Sequence, residues 1–358
     1  MSSYIKKRKS IAFFSPTLQI GGVEKVFITL ANQLVQYYDV TFILKYDDGS
    51  LKEVLSGEIN IVCTNSSQLR YALFSLSRIL FKYKFDYVFS GTLRTNVLLF
   101  LANKLALSPS KIVCGQHNYL DNETEKFVHE KILPHVLNNV YKTIAVSDGI
   151  RDMLVALGVR DDKVITLPNP INFAEIEQMA FVDCDIPTDE YILFVGRLSA
   201  VKNLTLLIDA FKLFMKVNPT TKLVFVGDGN KKTALAKYAE SQGIHENVIW
   251  LGNKSNPYPY INKSRIITLS SYSEAFPVIV LESFCLGKTI VSTNTKGANF
   301  LLDGGKYGYL VNTFDDPVAF SDALLKAWDS PISEEVLKNR AHNFDVCNIS
   351  KLLIERIL

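Results

Sequence analysis

The chain alternates between short apolar segments and amphipathic ones, and this alternation constrains its fold more than any other feature. Residues 10–15, 40–44 and 87–90 are rich in β-branched and aromatic residues, whereas residues 23–37 repeat apolar side chains at helical spacing. The first pattern predicts buried strands and the second predicts a helix. Strands that are apolar on both faces and separated by helices are typical of a parallel sheet. We therefore predict an α/β fold with a doubly wound sheet.

The alternation stops once and then starts again. Residues 167–172 place two prolines around Asn169, residues 181–190 lack clear periodicity, and strands are again predicted from residue 191 onward. Because 358 residues are more than one hydrophobic core usually organises, we predict two Rossmann-like domains, 1–168 and 169–339. Ligands bind at the carboxyl ends of the strands in such sheets, so we expect the two domains to face each other across a cleft.

Composition excludes several classes of protein. The chain is 48% hydrophobic and 21% charged, which excludes a disordered protein, and no apolar run is long enough to cross a membrane. Its five cysteines are scattered without a CxxC pair, so neither a disulfide framework nor a structural zinc site is expected. Basic residues at the amino terminus, Lys6 to Lys9, are followed by a predicted strand rather than by a signal peptide. We expect a cytoplasmic protein.

Charge is distributed unevenly along the chain. The net charge is +3 overall, with +6 on residues 1–160 and −3 on residues 161–358. A basic first half suits an anionic membrane surface or a polyanionic substrate, although ordinary surface variation explains it equally well. Residues 70–84 combine basic and aromatic side chains and would either contact the membrane surface peripherally or simply cover the sheet. Basic residues do not interleave with aromatic ones as in nucleic-acid-binding proteins, so nucleic acid is not an expected partner.

A glycine pair lies between the first predicted strand and the first predicted helix. Gly21 and Gly22 would let backbone N–H groups approach an anion at the start of the helix. The pair is not part of a full GxGxxG motif, and a simple tight turn is the alternative interpretation.

Two cations follow the strand at residues 191–195. Arg197 and Lys202 lie in the segment Gly196-Arg-Leu-Ser-Ala-Val-Lys-Asn203, at the carboxyl end of that strand. Arginine offers a planar fork and lysine a compact charge, and together they suit a diphosphate. The alternative is a surface loop with two solvated cations.

Two carboxylates flank the start of another predicted helix, in residues 273–283. Pro277 suits the first helical position, which places Glu274 in the preceding loop and Glu282 inside the helix. The unpaired N–H groups of the first turn favour phosphate oxygens. Glu282 lies among apolar residues, where a carboxylate needs a partner. Vicinal sugar hydroxyls or a structural salt bridge would supply one.

Taken in this order, the three motifs resemble those of the GT-B fold retaining glycosyltransferases of family 4. Glu274 and Glu282 match the E-x7-E motif of that family, the segment from Gly196 to Asn203 matches its diphosphate loop, and Gly21-Gly22-x-Glu24 matches its glycine loop. Further matches occur at residues 145–147, 168–170, 227–229 and 297–311. The resemblance covers residues 11–315 and implies that a C-terminal helix, at about 340–358, crosses back to the first domain.

The resemblance also implies a role for individual residues. Arg197 and Lys202 would neutralise the diphosphate, Glu282 would bind the ribose, and Glu274 would contact the donor sugar. His117 matches a family histidine that lies near this sugar. The predicted catalytic residues are Glu274, His117, Arg197 and Lys202. The other predicted donor-binding residues are Gly22, Gly196, Gly227, Asn253, Phe276 and Val278, and the predicted acceptor-binding residues are Gly21, Arg94 and Asn118.

The function implied by the resemblance is transfer of a hexose or an N-acetylhexosamine with retention of configuration. The donor would be a UDP-sugar, with GDP-mannose as the second choice, and no cofactor is implied. The acceptor would be a glycan or a lipid-linked glycan in the synthesis of a cell-surface polysaccharide such as lipopolysaccharide or capsule, at the cytoplasmic face of the membrane. A sugar-nucleotide epimerase and a catalytically silent protein that only binds nucleotide sugars are the alternatives.

Three sequence details bear on this resemblance. Family members usually have glycine where this chain has Ala275, whose methyl group narrows the approach of the backbone to the donor sugar. Gly287-Lys-Thr289 replaces a Gly-x-Pro turn of the family. The segment Asp183-Cys-Asp185 has the letters of a metal-binding motif but does not end a predicted strand, so we predict that no divalent metal is required.

Overall fold

The computed structural model describes residues 8–19, 21–120, 128–186 and 190–358. The chain divides into two compact units, the first comprising Met1–Pro170 with Val346–Leu358 and the second comprising Ile171–Asp345. The chain therefore passes from one unit to the other twice, after Pro170 and after Asp345. Lys6 and Lys7, which contribute to the basic amino terminus, lie outside the described residues.

The first unit contains one parallel sheet, to which seven strands belong in the described part of the chain. Their spatial order is β3-β2-β1-β4-β5-β6-β7, and every pair is parallel. The strands are β1 (Ser10–Phe14), β2 (Asp39–Leu44), β3 (Asn60–Cys63), β4 (Tyr87–Ser90), β5 (Lys111–Gln116), β6 (Lys142–Ala145) and β7 (Val164–Thr166). The helices are α1 (Gly22–Leu34), α2 (Leu73–Tyr83), α3 (Leu93–Leu105), α4 (Leu133–Asn138) and α5 (Asp148–Ala156).

Aromatic side chains form the centre of the first sheet. Phe13 on β1 is paired with Phe42 on β2 and with Phe89 on β4, and its ring stacks on both, with centroids 5.5 and 5.1 Å apart. The ring of Phe27 on α1 packs against the same residue at 5.1 Å. Burial of these rings fixes α1 against the sheet, so that the helix begins beside the carboxyl end of β1.

The second unit repeats this architecture with six parallel strands among its described residues. Their order is β10-β9-β8-β11-β12-β13. The strands are β8 (Tyr191–Val195), β9 (Lys222–Val226), β10 (Val248–Gly252), β11 (Ile266–Leu269), β12 (Thr289–Thr293) and β13 (Tyr309–Val311). The helices are α6 (Phe173–Ala180), α7 (Leu204–Phe214), α8 (Lys232–Ser241), α9 (Tyr258–Lys263), α10 (Val278–Cys285), α11 (Lys296–Leu302), α12 (Pro317–Asp329) and α13 (Glu334–His342).

The last helix, α14 (Val346–Arg356), belongs to the first unit. Ile349, Leu353 and Ile357 are buried in the core cluster that contains Phe13, and α14 packs against α1. The carbonyl oxygen of Leu358 accepts hydrogen bonds from Lys9 Nζ at 2.6 Å and from Tyr87 Oη at 2.7 Å. The sequence predicted one helix at about 340–358, whereas the structure has a break at residues 343–345, and α13 before the break lies in the second unit.

The α2 helix packs against α3, buries one face and exposes the other. Leu76, Ile79 and Leu80 are buried, whereas Phe74 and Phe81 are exposed. Contact of residues 70–84 with a membrane surface stays a prediction. None of the helices in the described part of the chain is long and apolar enough to cross a membrane.

Candidate active site

Three predicted donor-binding residues follow adjacent strands of the second sheet. Gly196 follows β8, Gly227 follows β9 and Asn253 follows β10, so all three lie at the carboxyl edge of the sheet. The Gly196 N–H donates to Val226 and the Gly227 N–H donates to Gly252, at 2.9 and 2.8 Å. Gly227 has a φ of +137°, and a Cβ at this position would collide with the Gly196 carbonyl, so only glycine fits there.

The loop that carries the two cations is anchored to the exit of β11. Arg197 is exposed, and Lys202 ends a short 3-10 turn at Ala200–Lys202. Ser270 Oγ donates to the Lys202 carbonyl and the Tyr272 N–H donates to the Val201 carbonyl, both at 2.8 Å. These bonds hold the Lys202 backbone beside the loop that contains Glu274.

Lys202 and Glu274 form an ion pair within the candidate site. Lys202 Nζ lies 2.5 Å from Glu274 Oε1, and Ser271 Oγ donates to the same oxygen at 2.7 Å. The two side chains are 22% and 13% exposed, so the pair is partly shielded from water. Charge-assisted hydrogen bonds of this kind fix both groups in orientation. The structure therefore brings together a cation and a carboxylate that the sequence assigned to separate parts of the donor.

The Glu274 loop is held from behind by α11. The Gly297 N–H donates to the Glu274 carbonyl at 2.9 Å. A Cβ on Gly297 would lie 2.6 Å from that carbonyl and from the backbone of Ala275, so glycine is required for the loop to approach so closely. Ala275, whose presence distinguishes this chain from the family pattern, is buried in this contact.

Glu282 is buried inside α10, and its carboxylate faces a tyrosine. It is 6% exposed, and Tyr258 Oη donates to Glu282 Oε1 at 3.3 Å. Burial, and then the charge of Glu282, raises the pKa of the Tyr258 phenol, which therefore stays protonated and acts as a donor. The helix begins at Val278, and Pro277 is its N-cap with a ψ of 101°, so the prediction of Pro277 at the first helical position was wrong by one residue.

Two further predicted donor-binding residues lie at the start of the same helix. Phe276 is buried, with its ring 6.2 Å from the rings of Phe300 and Phe344, and Val278 is half-buried. Packing on both phenylalanines positions the first turn of α10, whose N–H groups are available to an anion.

In the first unit, the predicted glycine pair lies at the start of α1. Gly21 is the N-cap, in an extended conformation, and Gly22 is the first helical residue. A Cβ on Gly21 would collide with the Glu24 carboxylate, whereas a Cβ on Gly22 would face open space. The first turn of α1 is thus approachable at Gly22. Ile20, between Gln19 and this pair, lies outside the described residues.

His117 follows β5 and is oriented by an asparagine. Its Nδ1 lies 3.1 Å from Asn169 Oδ1, and an amide oxygen can only accept a hydrogen bond, so Nδ1 carries the proton. Burial lowers the pKa of His117 from its ordinary 6.5 to about 4, against a smaller opposing effect of Asn169. Near pH 7 the imidazole is therefore neutral, with Nε2 as a hydrogen-bond acceptor.

The predicted acceptor-binding residues Arg94 and Asn118 are both exposed. Asn118 follows His117, and its carbonyl accepts a hydrogen bond from Gln116 at 2.7 Å. Arg94 lies in the first turn of α3, after a capping box formed by Thr92 and Thr95. A Cβ on Gly91, just before that cap, would lie 3.4 Å from His117 Nε2, so the start of α3 approaches the histidine.

Four residues of this arrangement were not predicted to have a role in it. They are Tyr258, Ser271, Asn169 and Gly297, and each contacts a predicted residue. Their segments are either distant in sequence from that residue or lack a motif of their own. Asn169 and Gly297 did lie within segments that match the family pattern. Tyr258 and Ser271 carried no comparable signal.

The two aspartates of the Asp183-Cys-Asp185 segment are exposed, and Asp185 has protein partners. Asp185 Oδ1 accepts a hydrogen bond from Tyr260 at 2.6 Å and forms an ion pair with Lys254 at 3.3 Å. These interactions, with the Tyr260 hydrogen bond first, hold the pKa of Asp185 below its usual range. The partners give this carboxylate a structural role in the second unit.

Comparisons with known proteins give matches in both units. Residues 182–344 match the family described as Glycosyl transferases group 1, and residues 20–175 match Glycosyltransferase Family 4. One relative is the N-acetylgalactosamine-N,N'-diacetylbacillosaminyl-diphospho-undecaprenol 4-alpha-N-acetylgalactosaminyltransferase of Campylobacter jejuni, 27% identical over 98% of this chain and 100% of the relative. Another is the UDP-Gal:alpha-D-GlcNAc-diphosphoundecaprenol alpha-1,3-galactosyltransferase of Escherichia coli, 24% identical over 89% of this chain and 88% of the relative.

Solved structures show the same fold. The Anabaena protein HepE in complex with UDP and glucose has a TM-score of 0.80 and 19% identity, covering 97% of this chain and 98% of HepE. The lipopolysaccharide outer core galactosyltransferase WaaB has a TM-score of 0.74 and 20% identity over the same shares. The predicted fold class, family and enzyme class are confirmed. This chain belongs to glycosyltransferase family 4, has the GT-B fold and is a hexosyltransferase.

Proposed function

We propose that this enzyme transfers a hexose or an N-acetylhexosamine from a UDP-sugar to a glycan carried on a polyprenyl diphosphate, in the synthesis of a cell-surface polysaccharide. Three relatives support the acceptor class, because their names place each acceptor on diphospho-undecaprenol or PP-undecaprenol. Two of them are named as N-acetylgalactosaminyltransferases and one as a galactosyltransferase that uses UDP-Gal. A UDP-linked donor with GalNAc or galactose is accordingly our first choice.

The observation that carries the proposal is the Lys202–Glu274 pair at the carboxyl edge of the second sheet. A diphosphate that binds between Arg197, Lys202 and the first turn of α10 meets two cations and free helical N–H groups. These cations and N–H groups would stabilise the negative charge that develops on the leaving group. No metal ion is needed in this scheme to hold the diphosphate.

Donor binding exchanges the partners of this pair. As Lys202 turns to the β-phosphate, Glu274 becomes available to hydroxyl groups of the donor sugar, with Ser271 still holding one carboxylate oxygen. Glu282 accepts hydrogen bonds from the ribose while Tyr258 stabilises its buried charge. Gly196, Gly227 and Asn253 line the same edge, and Phe276 and Val278 shape the helix start.

The first unit supplies the acceptor side of the reaction in this proposal. Gly21, Arg94 and Asn118 bind the acceptor, Gly22 approaches the donor, and His117 contacts the reacting sugar as a neutral imidazole. Because no carboxylate is assigned as a nucleophile, we favour attack by the acceptor on the same face that the diphosphate leaves, without a covalent intermediate. The enzyme would act at the cytoplasmic face of the membrane, where such acceptors meet nucleotide sugars.

A donor panel tests the proposal. Radiolabelled UDP-GalNAc, UDP-GlcNAc, UDP-Gal and GDP-mannose are each incubated with the enzyme and a membrane extract, and the lipid fraction is counted. Label in the lipid fraction with a UDP-sugar supports the proposal, and label only with GDP-mannose contradicts the donor assignment. Conversion of one UDP-sugar into another without an acceptor would indicate an epimerase, and binding without turnover would indicate a silent protein.

A further inference from the structure

The first unit contains a groove of about 790 Å³ between the entry to α2 and the exposed face of α3, called here the α2–α3 groove. This volume lies within the range of small-molecule sites. Its walls are mostly apolar, and two arginines contribute the charge. The side chains that give the groove its chemical character are Arg70, Leu73, Arg94, Val97, Leu98 and Leu101.

One wall of the groove is a single face of α3. Arg94, Val97, Leu98 and Leu101 follow each other at helical spacing, and a rise of 1.5 Å per residue separates the first from the last by about 10 Å. Leu101 is 47% exposed although it is apolar. The opposite side of α3 is also buried, through residues such as Leu99, so the helix is apolar on a second face, on which Leu98 is buried while Val97 and Leu101 remain accessible.

The charge of the groove is positive. Arg70 and Arg94 are both exposed, and no carboxylate lies among the described residues that line the walls. The Arg70 guanidinium lies over the ring of Tyr71, 4.8 Å from its centroid, and donates to Tyr71 Oη at 3.0 Å. A planar guanidinium that is held in this way presents its remaining N–H groups to a phosphate in a fixed orientation.

Arg94, at the charged end of the groove, follows closely in sequence on a residue that approaches His117. Gly91, which approaches His117 Nε2, is three residues before Arg94. From there α3 returns along the sheet, because the parallel strand β5 has to begin at the opposite edge. The arginine end of the groove therefore lies at the carboxyl edge of the sheet, and the Leu101 end leads away from it.

We propose that the α2–α3 groove binds the polyprenyl diphosphate of the acceptor. Arg70 and Arg94 hold the diphosphate, and the first isoprene units lie along Leu73, Val97 and Leu101. This occupant matches the groove because it joins two negative charges to a hydrocarbon chain, in the order in which the groove offers cations and apolar side chains. The lipid identity rests on the proposed function, but binding can be measured without any transfer.

Farnesyl diphosphate, a short and water-soluble polyprenyl diphosphate, is the probe. Its affinity for the full chain is measured by isothermal titration calorimetry in the presence of excess UDP, so that a diphosphate site in the second unit is already occupied. We expect Arg94→Gln and Leu101→Glu each to weaken binding at least tenfold, and Arg70→Gln to do the same, since charge-assisted hydrogen bonds and apolar burial both contribute. The matched controls Arg78→Gln and Leu107→Glu, on exposed side chains outside the groove, should change the affinity less than twofold.

Two further probes separate the parts of the ligand. Inorganic diphosphate and farnesol should each bind at least tenfold more weakly than farnesyl diphosphate. Equal binding of inorganic diphosphate would overturn the proposal in favour of a plain anion site, and equal weakening by the controls would overturn it in favour of non-specific adsorption. Failure of farnesyl diphosphate to bind would overturn it as well.

The variants are checked for folding by their thermal midpoint, and Leu101→Gln replaces Leu101→Glu if the latter lowers it. The outcome is separable from that of the donor panel. Farnesyl diphosphate binding that Arg94→Gln abolishes, in a protein that transfers no sugar, would support the groove and contradict the proposed function. If the enzyme transfers sugar to lipid and all groove variants leave that transfer unchanged, the proposed function would be supported and the groove proposal contradicted.

Discussion

His117 Nδ1 lies 3.1 Å from Asn169 Oδ1, and this contact determines which nitrogen of the imidazole faces outward. Asn169 is buried, and it belongs to a proline-flanked segment that follows β7. Because its amide oxygen accepts from Nδ1–H, Nε2 is left as the acceptor. Asn169 is thus a positioning residue, which acts on a substrate only through His117.

Asn169→Ala should lower kcat/KM about tenfold, because loss of one buried hydrogen bond costs about 1–3 kcal/mol and frees the ring to turn. Asn169→Asp should instead raise the pKa of His117, since a nearby carboxylate favours the imidazolium. The acid limb of the pH profile of kcat/KM should then move toward neutral pH. An exposed asparagine, Asn139, provides the control Asn139→Ala. A purely structural role for Asn169 would leave the limb where it is.

The depressed pKa of His117 also makes stability depend on pH. The unfolded chain binds a proton at this residue near pH 6.5, whereas the folded protein does so only at about pH 4. The free energy of unfolding should therefore fall as the pH is lowered from about 6.5 to about 4, since the unfolded state binds more protons there. His117→Gln should show a smaller fall in urea titrations over this window. An identical pH dependence in both proteins would contradict the burial of a neutral His117.

Lys202→Ala should lower kcat/KM by about 100-fold, the scale of the effect of removing one charge that stabilises a leaving group. Arg197→Ala should have an effect of the same order. Lys212→Ala is the matched control, because this lysine on α7 contacts Gln242 at the surface. Wild-type activity should survive EDTA, and magnesium should not rescue the Lys202 variant. Loss of wild-type activity with EDTA would reinstate a metal-dependent mechanism.

Glu282→Ala should raise the donor KM at least tenfold, because hydrogen bonds to a charged group are worth about 1.5–3 kcal/mol each. Tyr258→Phe, which removes a protein partner of Glu282 but keeps the ring, should have a smaller effect. UDP contains the ribose but not the donor sugar, so calorimetry with UDP tests the contact between Glu282 and the ribose by itself. If UDP binds to a folded Glu282→Ala protein with unchanged affinity, the ribose assignment is wrong.

Local patterns in the sequence were sufficient to predict most of the strands, though not β3, β7 or β13, and most of the ligand-facing loops. Phe13 and its neighbours form an uninterrupted apolar run, and such runs become central parallel strands. The spacing of Glu274 and Glu282 follows from a loop and a helix that are adjacent in sequence. Family resemblance then assigned both to a donor, without any information about distant partners.

What the sequence did not reveal depends on contacts between distant segments. Asn169 is 52 residues from His117, and Tyr258 is 24 residues from Glu282. The α3 helix was not predicted either, because it is apolar on two faces and therefore lacks a clear period. The α6 helix begins directly after the proline segment, where the sequence pattern predicted an interruption of the alternation rather than a helix.

The C-terminal helix supplies three buried side chains to the core of the first unit. Ile349, Leu353 and Ile357 are at most 4% exposed, and they join a cluster that also contains residues of α1. The connection that leads to the helix lies beside the earlier one, since the Ile171 N–H donates to the Phe344 carbonyl at 3.0 Å. The first unit is therefore complete only when it includes residues Val346–Leu358.

Deleting residues 348–358 should expose this apolar surface, lower solubility and abolish transfer, while the second unit still binds UDP. A finer test is Leu353→Ala, which should lower the free energy of unfolding by about 3 kcal/mol because it leaves a cavity in the core. Lys351→Ala and Glu355→Ala, on exposed positions of the same helix, should change it by less than about 0.5 kcal/mol. Urea unfolding followed by far-UV circular dichroism measures all three. A truncated protein that remains soluble and fully active would show that α14 is dispensable, in contradiction to its place in the core.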